Sequence, residues 1–254
     1  MQEPSDPLDP GQSVIDVVDM ATHIARPLMH QRWSHITFVH WRYPAAEIQA
    51  LLPPGLTAER HDGSAWVALT PFLMEDVRPP GLPAIPWLSR FPETNVRTYV
   101  RDEQGRSGLW FLSLDASRLP AVAAARAGFR LPYYWSRMSV HVATDRIAYR
   151  SRRHPPGQAG VRADVDIEIG APLAGPEELT DFLVERYRLF TVVAGRLATA
   201  EVEHPPWRLR RARILRLNQG LFQAGGLTAP TGEPLAHTST GVPVRIGRWR
   251  WCPA

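Results

Sequence analysis

The sequence predicts a mainly β member of the α+β class, built from short antiparallel strands, with two or three helices at the periphery. Three observations predict it. Segments rich in β-branched and aromatic residues recur along the chain and are bounded by Gly, Pro and Asp turns. Only a few stretches carry a helical period. Proline occurs 25 times in 254 residues, about twice ordinary usage, which disfavours long helices. Closing such strands into a barrel removes exposed edges.

Taken in order, residues 1–12 read as a disordered tail, and Ser13 caps a short helix over Val14–Ile24 that Pro27 ends. Residues 1–26 are thus expected to form a tail with a short helix, and residues 27–254 a single domain. Trp33–Arg42 is strand-like, Pro44–Leu52 a short helix stopped by Pro53-Pro54-Gly55. Ala58–His61 and Ala65–Met74 read as a hairpin joined at Asp62-Gly63. Arg78–Pro92 holds five prolines and is expected to be a surface loop or lid. Asn95–Arg101 and Leu109–Ala116 follow as strands, Ala121–Ala127 as a turn or two of helix, and Tyr134–Val142 with Arg146–Arg152 as another strand pair. Ala163–Ile169 alternates Val165, Ile167 and Ile169 against Asp164, Asp166 and Glu168, a half-buried strand with a solvated acidic face. Pro176–Phe190 is the best helical stretch, with Pro176 in its first turn. Trp207–Leu217 and Val242–Trp251 close the chain as strands.

Composition excludes several chemistries. All 29 basic residues other than histidine are arginine, and there is no lysine. No side-chain amine is therefore available for an imine, a P-loop or pyridoxal phosphate. The net charge of +4 is spread along the chain without a reader motif, so no nucleic-acid partner is expected. No apolar run reaches the roughly 18 residues of a membrane span, and the acidic, Pro-rich start is unlike a secretory signal. Cys252 is the only cysteine, which leaves no intrachain disulfide. The expected location is the cytoplasm.

The sharpest local pattern is Phe91–Arg101. On a strand, Glu93, Asn95, Arg97, Tyr99 and Arg101 share one face and Thr94, Val96, Thr98 and Val100 the other. That face is either a solvated surface or the polar wall of a cavity. The second pattern is Ala125–Trp135, where Gly128 and Pro132 bracket a turn and Tyr133 and Tyr134 point to opposite faces. One tyrosine at most then meets a cavity, and Arg126 lies close by. Arg208, Arg210, Arg211, Arg213 and Arg216 are expected to split between the two faces of their strand. His30, His35 and His40 are spaced by five, which suits neither helical nor strand ligand sets, so no metal is expected. His204 reads as structural, and His237 as a site candidate because it follows Gly225-Gly226.

These segments, with Phe111-Leu-Ser-Leu-Asp-Ala116 between them, resemble the YqjF-like family of bacterial proteins over about Arg32–Trp251. The likeness includes Leu52-Pro-Pro-Gly55, Asp62-Gly-Ser-Ala-Trp66, Phe182-Leu-Val-Glu-Arg-Tyr187 and His204-Pro-Pro-Trp207. That family is similar to the acetoacetate decarboxylase superfamily. The resemblance implies a β-barrel or cone of decarboxylase-like type around a small-molecule cavity. In the decarboxylases a Pro-Lys-Lys motif supplies the imine-forming lysine. Leu131-Pro-Tyr-Tyr134 occupies the matching place, so Tyr133 stands where the nucleophile would be, and Glu93 matches the cavity glutamate. A phenol cannot condense with a ketone, which excludes decarboxylation by the imine route.

The expected function is therefore binding of a small carbonyl or carboxylate compound, with lysine-independent acid–base chemistry of the lyase, hydratase, isomerase or cyclase type. Glu93 and Tyr133 are the catalytic candidates, and Asn95, Arg97, Tyr99, Tyr134, Arg126 and His237 the binding candidates. No cofactor is expected, and homo-oligomer formation is left open. The rival expectation is a non-catalytic ligand-binding or sensory module on the same fold.

Overall fold

The computed structural model describes residues 23–129, 131–155, 158–175 and 177–253. The helix expected over Val14–Ile24 lies almost wholly outside the described residues, as does Pro176. The described residues form 13 strands in one sheet and four short helices. They are β1 (Met29–Tyr43), α1 (Ala45–Gln49), β2 (Leu56–Ala58), β3 (Ala65–Arg78), β4 (Phe91–Asp102), β5 (Ser107–Ala116), α2 (Leu119–Phe129), β6 (Tyr133–Val142), β7 (Arg146–Arg153), β8 (Arg162–Pro172), α3 (Glu178–Val184), β9 (Arg188–Val193), β10 (Arg196–Glu203), β11 (Leu209–Gln219), α4 (Leu221–Ala224), β12 (Leu235–Ile246) and β13 (Arg250–Trp251). Among them, no helix is long and apolar enough to cross a membrane.

The sheet closes on itself and also branches. β5 pairs with β4 antiparallel and with both β6 and β9 parallel. β12 pairs with β1, β11 and β10. Three arms thus run from β5 to β12: β4-β3-β1, β6-β7-β8-β11, and β9-β10. The barrel is mixed, mainly antiparallel, with two parallel pairings at β5 that the sequence reading did not include.

The first arm is a wall between two apolar interiors. Phe38, Phe72, Tyr99, Leu189, Val202 and Ile246 pack on one side of it. Val39, Leu69, Val96, Ile147, Val165 and Ile167 pack on the other. Side chains alternate along a strand, so each strand of this wall serves both interiors. β4 places Glu93, Asn95, Arg97 and Tyr99 on the first side and Val96 on the second. Burying such an aliphatic or aromatic side chain contributes roughly 1.5–3 kcal/mol, which is what allows one wall to carry polar groups inward.

Several sequence expectations need correction. Asp62 and Gly63 do turn the chain, with φ of 50° and 75°, but only the single bridge His61–Ser64 spans the turn. β2 pairs with β4 instead of β3. The helix expected over Pro176–Phe190 is confined to Glu178–Val184. Leu189–Val193 is β-branched and aromatic, and its pairing with β10 and β5 outweighs local helical propensity. The chain leaves α3 where the Arg186 Nε donates to the Phe182 carbonyl at 2.6 Å, capping the helix end. On β11, register shifts at Arg210/Ala212 and Ile214/Arg216 break the alternation. Arg210, Arg211, Arg213 and Arg216, together with Arg208 just before the strand, are all exposed instead of split between a buried and an exposed face. The acidic residues of β8 are not simply solvated: Asp164 pairs with Arg216 at 3.2 Å, Asp166 with Arg150 and Glu168 with Arg213.

Candidate functional site

A cavity of about 200 Å³ opens in the first interior. Its walls come from β1, β3, β4, β5, the start of β6, and the β9-β10 arm. Glu93, Asn95, Arg97 and Tyr133 all line it. The polar face of β4 is therefore a cavity wall and not a surface. Glu93 is 3 % exposed, Asn95 5 % and Arg97 4 %.

Burial is what sets the state of Glu93. It pushes the carboxyl up to about 8, and the nearby charge of Asp115 adds to the rise, whereas the Tyr133 hydroxyl opposes it. The Tyr133 hydroxyl donates to Glu93 Oε2 at 3.1 Å. The same burial and the Glu93 carboxyl hold the Tyr133 phenol well above its ordinary range. At neutral pH Glu93 is mainly a neutral acid and Tyr133 a neutral phenol.

Arg97 contrasts with its neighbour Arg186. Arg186, which also lines the cavity, donates from Nη1 to Glu59 Oε2 at 2.7 Å. Glu59 accepts in addition from Arg101 and Ser107, both at 2.8 Å. Arg97 forms no ion pair with any carboxylate of the described residues. Its Nη2 reaches the Leu183 carbonyl at 3.5 Å, and its guanidinium carbon lies 5.2 Å from the centre of the Phe38 ring. Its Nε has no hydrogen-bond partner, nor have Asn95 Oδ1 and Thr70 Oγ1. Burial, and the charge of Arg186, lower the pKa of Arg97. With Glu93 neutral and Arg186 neutralised, the cavity wall carries an uncompensated positive charge.

Tyr133 is fixed from behind. Leu114 and Tyr133 are paired in register on β5 and β6, as are Asp115 and Tyr134. Asp115 is fully buried and accepts from Ser136 at 2.8 Å, Ser151 at 3.2 Å and the Arg153 Nη2 at 2.8 Å. The Arg153 guanidinium lies 3.7 Å from the Tyr134 ring centre. Of the adjacent tyrosines, Tyr133 thus meets the cavity and Tyr134 closes over the ion pair.

The remaining candidates stand outside the lining. Tyr99 is buried below Arg97 and donates to the Leu183 carbonyl at 2.9 Å. Arg126 is exposed and donates to the Tyr133 carbonyl at 2.6 Å. His237 is 3 % exposed, and burial lowers its pKa. His204 stacks on Tyr187 with ring centres 4.6 Å apart. Sequence reasoning missed Arg186 and Thr70 as lining residues. Arg186 fell within a stretch read as helix, and Thr70 is an ordinary β-former.

A branched barrel enclosing this cavity defines an acetoacetate decarboxylase-like fold. It aligns with acetoacetate decarboxylase from Legionella pneumophila subsp. pneumophila str. Philadelphia 1 at a TM-score of 0.64, with 14% identity, over 99% of this chain and 98% of that one. It also aligns with the enduracididine biosynthesis enzyme MppR complexed with pyruvate at a TM-score of 0.63, with 15% identity, over 97% and 98% of the two chains. Within that fold the chain belongs to DUF2071, a family described as an uncharacterized conserved protein, whose model matches residues 30–243. The uncharacterized protein YqjF of Bacillus subtilis (strain 168) is 36% identical over 211 residues, 83% of this chain and 86% of that protein.

Proposed function

We propose that the cavity binds a small organic carboxylate that also bears a carbonyl group, and that Glu93 acts on it as a general acid and base without an imine. The observation that carries this reading is the uncompensated guanidinium of Arg97 on the same β4 face as the neutral Glu93. A carboxylate supplies the anion that Arg97 lacks, in two charge-assisted hydrogen bonds. Glu93 then donates its proton to the carbonyl oxygen, and the resulting carboxylate withdraws a proton from the adjacent carbon. Both transfers suit a group whose pKa lies near the working pH. Tyr133 holds the Glu93 carboxyl in place through its hydrogen bond. This chemistry is of the isomerase or lyase type. The pyruvate bound to MppR is a compound of the proposed class. The proposed setting is the cytoplasm.

The test is calorimetric titration of the protein with 2-oxo and 3-oxo acids and with their neutral amides, followed by proton NMR of the bound acids in D2O. The acids are expected to bind and the amides not, and Arg97→Met should abolish binding of the acids. Equal binding of acids and amides overturns the carboxylate assignment. Binding without exchange of the carbon-bound proton removes the acid–base role and leaves a ligand-binding module.

A further inference from the structure

The polarity of the cavity changes along its β3–β4 wall. Thr70, Asn95 and Arg97 are buried and meet at one end of that wall, where Thr70 pairs with Asn95 and Arg97 follows two residues along β4. The half-exposed lining residues are mostly apolar, Met29, Trp33, Val77, Leu131 and Trp249 among them, with Gln31 and Tyr133 the polar ones. Phe72 pairs with Glu93, and Met74 pairs with Phe91 and Trp33, so the lining turns apolar along the same wall towards the half-exposed end. The polar groups of β3 and β4 therefore occupy the closed end, and mostly apolar side chains the open end.

A small hydrophilic acid seated on Arg97 leaves that outer apolar wall in contact with water. We infer that the ligand is an amphiphilic acid, with its carboxylate at the closed end and an apolar chain or ring of several carbons against Met29, Trp33, Met74 and Phe91. This rests on the carboxylate reading above and narrows it. The size is consistent: a 150 Å³ apolar cavity accepts benzene, so the present 200 Å³ holds a body of that size with its acid group. The charge of Arg97 selects the acid head, and burial of hydrocarbon sets the affinity.

The experiment is calorimetric titration of the full chain with straight-chain carboxylates from butanoate to decanoate, together with 3-phenylpropanoate and the matching primary amides. Burial of each methylene is expected to tighten binding roughly fourfold until the chain outgrows the cavity, and the amides are expected to bind far more weakly. A Met29→Trp variant, which fills the open end from a half-exposed position, should retain butanoate and lose the gain with chain length. If short acids bind and affinity is flat or falls with length, the apolar-tail assignment is overturned while the carboxylate reading stands. If no acid of any length binds, both are overturned. A wild-type slope that Met29→Trp leaves intact places the chain elsewhere and also overturns the assignment.

Discussion

Tyr133 and Glu93 form a 3.1 Å hydrogen bond in which the phenol donates and the carboxyl accepts. Burial disfavours ionisation of both groups, and the charge of Asp115 adds to this for Glu93. This pair links the β4 wall to the start of β6, so two strands distant in sequence share one proton-bearing unit.

The raised pKa of Glu93 makes folding stability depend on pH. The unfolded glutamate titrates near 4.3, whereas the folded one titrates near 8. The folded state binds the extra proton, so the cost of this residue is absent below about pH 4. It grows as pH rises and levels off above pH 8. Glu93→Gln mimics the neutral acid at every pH. The variant should match the wild type at pH 4 and exceed it by about 5 kcal/mol at pH 8.5, at 1.36 kcal/mol per pK unit. Urea unfolding at the two pH values measures this, and a stability difference independent of pH would show that Glu93 is not held neutral.

Removing the phenol tests the same pair from the other side. The Tyr133 hydrogen bond opposes the rise in the Glu93 pKa. Tyr133→Phe should therefore raise that pKa further and move the pH-dependent loss of stability upward. The loss of the bond itself should cost about 1 kcal/mol. A downward shift of the inflection would mean that the phenol stabilises the neutral acid instead.

Much of this wall was legible in the sequence, because Phe91–Arg101 alternates without interruption and a period of two needs no tertiary knowledge. The same rule placed Tyr133 and Tyr134 on opposite sides. What the sequence did not reveal depends on contacts between distant segments. Leu189–Val193 follows directly on a helical period, and only its pairing with β5 and β10 separates the two. The arginines of β11 are all exposed, where two register shifts interrupt an alternation that the sequence alone does not show to be broken. Arg186 and Arg97 are alike in sequence, and only the position of Glu59 neutralises the first and leaves the second without a carboxylate among the described residues.

The ion pair behind Tyr134 should matter more than the pairs on the outer strands. Arg153 and Asp115 have side chains 1% and 0% exposed, whereas Arg213 and Glu168 are 69% and 35% exposed. Arg153→Met leaves a buried carboxylate supported only by Ser113, Ser136 and Ser151, a change worth about 3–5 kcal/mol. Arg213→Met should cost no more than about 1 kcal/mol. Denaturant unfolding of the two variants checks the order, and equal losses would mean that the buried pair contributes no more than the exposed one.

Gly241 should be the least replaceable glycine near the cavity. It pairs with Ser34 across β1 and β12 and has φ of +116°. A Cβ at this position would lie 2.0 Å from the Trp33 carbonyl oxygen and 2.7 Å from the Ser34 Cα. Both contacts are backbone, so no side-chain rotation relieves them. Next to them His35 adopts φ of 46°, where β1 shifts register against β3. Gly63, with φ of +75° and no atom within 4 Å of a built Cβ, is the control. Gly63→Ala should cost about 1–2 kcal/mol, the penalty of a left-handed backbone for an L residue. Gly241→Ala should cost several times that or prevent folding, because β1 and β12 must part where Trp33 and Ile36 enter the cavity wall. Comparison of thermal midpoints and of soluble yield separates the two variants. Similar midpoints would show that the strand pair yields at this point without strain.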